Sequence, residues 1–171
     1  QIGLLAAAGL LAENLAGHHL DIWVGVFDAL QWPDIDPADR DIISMAAQAP
    51  VVARADLLSL GRLQLAPMVQ SLNKAEDGSG LLEQARARLA NLIQLRRTGG
   101  GSDQPETVLA SFETALENAD FDAAFAAANR WSSAGLEGLE SWLAAAQRRH
   151  NLDQAVNQVV ATFVQRAAGK S

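Results

Sequence analysis

Residues 89–112 read LANLIQLRRTGGGSDQPETVLASF. A basic, leucine-rich run meets three glycines and then an acidic helix start. Leu89, Leu92 and Ile93 recur at helical spacing. The glycines at 99–101 end that helix where the backbone bends most freely. Asp103 can cap the next one, with Glu106 completing a capping-box-like pair. Helix, break and capped helix is also the pattern of the rest of the chain.

Working outward, residues 2–16 carry Leu4, Ala8, Leu11 and Leu15 as an apolar stripe, and Gly17 stops that helix. A second helix runs from about His19 to Leu30 with Ile22, Val26 and Leu30 on one face. Asp36, Pro37 and Asp39 supply N-cap, first position and first-turn acid of a third, which ends at about Gln48, before Pro50. Residues 55–75 are helical in pattern, and Pro67 predicts a break or kink near 64–66. The turn EDGSG at 76–80 leads into a helix over 81–97.

Downstream, Val108, Phe112, Ala115 and Leu116 make one buried face. A restart at Asp120 places Phe121, Ala124, Phe125 and Ala128 inward. Leu139, Trp142, Leu143 and Ala146 form the next stripe, and Leu152, Ala155, Val156, Val159 and Phe163 the last. DFDAAFAAA from Asp120 and NLDQAVNQV from Asn151 are weakly alike, which suggests two consecutive helical hairpins packed like tetratricopeptide units. The expected fold is all-α: antiparallel hairpins, a helical bundle or a short tetratricopeptide-like solenoid. The expected segments are an N-terminal helical region at 1–78, a basic amphipathic helix at 79–98, a linker at 99–102 and a C-terminal helical domain at 103–168.

Composition excludes several functions. Alanine and leucine dominate and β-formers are sparse, so the chain favours helix. A net charge of −7 argues against nucleic-acid binding, which needs a basic surface. Without cysteine there is no disulfide, thiolate metal site or cysteine nucleophile. His18 and His19 are adjacent and point apart on a helix, and His150 is remote, so no metal set is expected. DIDPADRD lacks the glycine and distal glutamate of a calcium loop, and its cap and proline account for it. Trp131 and Trp142 read as core anchors. No catalytic residue, cofactor or enzyme activity is expected. A chain that begins at Gln1 reads as a fragment or processed product, and its apolar start is too short to span a bilayer.

Residues 81–97, LLEQARARLANLIQLRR, stand apart. Arg86, Arg88, Arg96 and Arg97 face a single acid, Glu83, whereas 103–122 carry only acids. Such a helix either packs in the core with a solvated basic face, or lies on anionic lipid with its leucines inserted and its arginine stems snorkelling.

The order of these features resembles the C-terminal region of mitofilin-family proteins, in particular their alphaproteobacterial relatives. The similarity covers about 50–165 and includes the upstream run APVVARADLLSLGRLQLAPMV. It rests on a hydrophobic stretch ending in Arg96–Arg97, a polar linker leading to Pro105–Glu106, Asp122 with its alanines, and Trp142, Ala146 and Arg149 in W-x-x-x-A-x-x-R. The triple glycine is looser than the family's linker. The resemblance implies a membrane-shaping protein of the bacterial inner membrane, anchored upstream and facing the periplasm, as relatives shape cristae junctions in mitochondria. It implies that 81–97 bind anionic lipid, with Arg86, Arg88, Leu89, Leu92, Ile93, Leu95, Arg96 and Arg97 as the contact set. It also implies that 103–167 assemble as homo-oligomers or with partner proteins. The alternative reading is a soluble tetratricopeptide-like scaffold that binds proteins and not lipid.

Overall fold

The computed structural model describes residues 2–16, 19–31, 35–49, 51–75 and 104–169. These residues form seven α-helices and no strand, so the all-α expectation holds. The helices are α1 (Ile2–Ala16), α2 (Leu20–Ala29), α3 (Pro37–Gln48), α4 (Arg54–Ala75), α5 (Pro105–Glu117), α6 (Phe121–Ser133) and α7 (Glu140–Ala168). They divide into two compact units, one of residues 1–54 with 147–171 and one of residues 55–146. The expected segments 79–98 and 99–102 lie outside the described residues.

The first unit packs α1, α2 and α3 with the C-terminal part of α7. Leu10, Phe27, Ile43, Leu152, Val156, Val159 and Phe163 are its buried centre. Phe27 and Phe163 meet with ring centroids 5.5 Å apart. Each such side chain removed from water contributes roughly 1.5–3 kcal/mol. The inward face of α1 is Ala6, Ala7, Leu10 and Asn14, while Ala8 and Leu15 of the expected stripe are exposed. The helix is apolar nearly all round, so periodicity does not choose its face, and the small Ala6 and Ala7 allow closer packing. In α2 the buried positions are Leu20 and Phe27, and Ile22 faces solvent. Trp23 and Val24 pack against the same core, as do Val26 and Leu30 of the expected face. For α3 the cap is as expected: the Asp36 side chain accepts from the Ala38 N–H at 2.8 Å, and Pro37 opens the helix.

The second unit centres on Leu57, Met68, Phe112, Leu116, Trp131 and Trp142. The helical hairpin of α5 and α6 turns at Ala119, whose φ is 54°, and α6 is capped by Asp120 accepting from Ala123 N–H at 3.0 Å. All the inward positions expected on α5 and α6 are buried. The expected cap residue Asp103 lies outside the described residues; Gln104 stands at the N-cap without a side-chain cap bond, and Pro105 takes the first helical position, the place its fixed φ prefers. Trp131 donates its indole N–H to the Glu137 carbonyl at 3.1 Å and Trp142 to that of Leu57 at 2.7 Å, so both are anchors with satisfied polar ends. Arg62 Nη2 donates to the Leu116 carbonyl at 3.0 Å, satisfying a helix-end acceptor of α5.

Two expected breaks are absent. α4 runs through Pro67 as one helix. A Cβ on Gly138 would stand 3.2 Å from Pro67, so the proline is packed closely, and Gly138 itself has φ +100°. α7 likewise runs through Asn151, so the second hairpin suggested by the weak repeat does not form. QRRHN at 147–151 holds neither Gly nor Pro, and Gln147 donates to Asn151 at 2.7 Å one turn on.

Candidate functional site

The lipid-contact set expected from the sequence, Arg86, Arg88, Leu89, Leu92, Ile93, Leu95, Arg96 and Arg97, lies outside the described residues. Within the first unit, two other arrangements come together on α7.

One is a buried polar cluster. Arg149 and Asp153 lie one turn apart on the inward side of α7, with side chains 1% and 7% exposed. Asp153 accepts two hydrogen bonds, from Arg54 Nε at 2.6 Å on Oδ2 and from Asn14 Nδ2 at 2.9 Å on Oδ1, and Arg149 Nη2 stands 2.7 Å from Oδ1. The Arg149 contact is an ion pair whose approach is not aligned as a hydrogen bond, and among the described residues its Nε, Nη1 and Nη2 have no hydrogen-bond partner. Asn14 Oδ1 has none either. Two cations thus face one buried carboxylate, Arg149 from inside and Arg54 from the partly exposed side. Burying a charge is costly unless it is paired. Asp153 is engaged by cations on both oxygens, which ties Asn14, Arg54 and Arg149 to one carboxylate.

The other is an apolar groove of about 180 Å³ between α3 and α7. Ile42, Met45, Val51 and Leu152 line it together with Arg148 and Asn151. Both arrangements share a turn of α7: Arg149 and Leu152 point inward while Arg148 and Asn151 are exposed. The sequence held a signal for the first. Arg149 sits seven residues from both Trp142 and Val156, on a stripe that is apolar apart from it and Asp153. It held none for the groove, which depends on α3 meeting α7 across a long sequence separation.

His19 precedes α2 in a left-handed conformation and His150 contacts Gln154 at 2.9 Å, while His18 lies outside the described residues. Among the described residues, no group of three or more His, Asp or Glu side chains is placed to hold a metal ion. No described helix is long and apolar enough to cross a membrane. Comparison with protein families, with curated proteins and with solved structures finds no match.

Proposed function

We propose that this chain is a non-catalytic, membrane-organising module of the mitofilin type, acting at the periplasmic face of a bacterial inner membrane. The reading is carried by one observation: residues 81–97 set four arginines against one acid along a leucine stripe, in a chain of net charge −7. Leu89, Leu92, Ile93 and Leu95 enter the acyl boundary while Arg86, Arg88, Arg96 and Arg97 hold lipid phosphates. At about 1 kcal/mol per basic residue near an anionic surface, four arginines supply roughly 4 kcal/mol, close to a thousandfold in partitioning. The helices after the glycines assemble with a second copy or a partner. Trp142, Ala146 and Arg149 of the W-x-x-x-A-x-x-R motif are buried, so these three residues pack inward.

The test is co-sedimentation with vesicles of anionic phospholipid. The unmodified chain should pellet with them, and Arg→Glu at 86, 88, 96 and 97 together should leave it in the supernatant. Sedimentation that the four changes do not alter would sink the lipid role. The exposed apolar groove on α3 and α7 favours the protein-binding scaffold as second reading, and that reading expects no sedimentation at all.

A further inference from the structure

The groove between α3 and α7 combines an apolar floor with a rim of one chemical sign. Met45 is 68% exposed, a flexible thioether side chain that re-packs around differently shaped guests. Asn151 has its Oδ1 occupied by Gln147 Nε2 at 2.7 Å, which leaves its amide hydrogens to offer. Arg148 is exposed and has no ion-pair partner among the described residues. The rim therefore presents donors and a positive charge, on a chain whose net charge is −7. Its complement is a carboxylate beside an apolar group.

Size narrows the class further. An apolar cavity of about 150 Å³ takes a benzene-sized guest. A groove of about 180 Å³ thus fits one leucine or phenylalanine side chain and not the length of an acyl chain. An amphipathic helix presents such an anchor and an acid three or four residues apart on one face. We infer that this groove docks an amphipathic helix of a partner protein through one Leu or Phe anchor, with an Asp or Glu one helical turn away pairing with Arg148. The inference deepens the assembly half of the proposed function and does not rest on the lipid half. Loss of vesicle binding would leave it standing, and its own failure would leave vesicle binding untouched.

The experiment pans a displayed library of helical peptides against the whole chain and measures the enriched peptides by fluorescence anisotropy. They should carry Leu or Phe with an acid three or four residues away. Met45→Glu should weaken binding by about tenfold or more, because it puts a carboxylate beside the anchor, repels the peptide's acid and competes with it for Arg148. Arg148→Glu should weaken it about five- to tenfold, and a peptide with Lys in place of the acid should bind that variant better than the unmodified chain. Both positions are exposed, so thermal melts should match and exclude misfolding as the cause. The inference is overturned if no peptide is enriched, if enriched peptides lack the acid, or if neither substitution changes their affinity. It is equally overturned if anionic vesicles, and no peptide, lose binding on Arg148→Glu.

Discussion

Arg149 Nη2 lies 2.7 Å from Asp153 Oδ1, one turn along α7 and almost wholly out of water. The two ends of this pair are not equivalent. Asp153 is the shared anion for Arg149 and Arg54, whereas Arg149 keeps donors without a hydrogen-bond partner among the described residues. Asp153→Ala should therefore cost about 3–5 kcal/mol, the penalty for a buried cation left uncompensated. Arg149→Met removes a poorly satisfied cation and leaves Arg54 with its partner, so it should cost clearly less. Urea denaturation of the two variants checks this, and equal costs would contradict the asymmetry.

Trp142 joins a hydrogen bond to the Leu57 carbonyl with an edge contact to Phe112, ring centroids 5.2 Å apart at 88°. Trp142→Ala should destabilise the second unit by about 3–5 kcal/mol. Trp142→Phe keeps much of the volume and the aromatic edge, so it should lose less, chiefly the hydrogen bond, about 0.5–1.5 kcal/mol. Thermal and urea unfolding followed by circular dichroism would rank the two, and the reverse order would refute the packing account.

At the start of α3 two acids have opposite effects. Asp36 caps the helix through Ala38 N–H, and Asp36→Ala should cost about 1 kcal/mol. Asp39 has its pKa raised, first by burial and then by the nearby Asp36 carboxylate. A raised carboxyl contributes stability that is fully present below its unfolded value of about 3.9 and is lost as pH rises through the folded value. Asp39→Asn should thus melt higher than the unmodified chain at pH 7, with the difference shrinking towards pH 3. A difference that grows on acidification would give the sign the other way.

What the sequence made legible was local. The Asp36 and Asp120 caps and the buried faces of α5 and α6 follow from near neighbours and from a clear contrast between faces. In α1 that contrast is missing: Ala6, Ala7 and Leu10 take the centre, Leu4 and Leu11 of the expected stripe pack partly buried beside them, and Ala8 and Leu15 are exposed. Proline propensity at 67 suggested a break or kink and the weak repeat at Asn151 a new helix, but α4 and α7 continue unbroken through both positions. Continuity there is set by packing, which propensity does not encode. The grouping of residues 1–54 with 147–171 is a pairing of distant segments, invisible to any local period. The same holds for the α3–α7 groove. The eight expected lipid contacts at 86–97 lie outside the described residues, so vesicle binding is the measurement that bears on them.

Gly9 and Trp23 offer a test in which one substitution should change sign. A Cβ on Gly9 would fall 2.1 Å from Trp23 Cζ2, so the indole lies directly over the bare backbone of α1. Glycine within a helix costs about 0.8–1.0 kcal/mol relative to alanine, and propensity alone would make Gly9→Ala stabilising. Overpacking opposes it, typically by 1–3 kcal/mol, because the ring must leave its place. Gly9→Ala should therefore destabilise the first unit in the presence of Trp23. With Trp23→Ala already in place the obstruction is gone, and the same change should stabilise by about the propensity difference. Urea denaturation of the four chains in this cycle measures both signs. A Gly9→Ala change that stabilises in both backgrounds would remove the close approach of α1 to Trp23 from the account of this core.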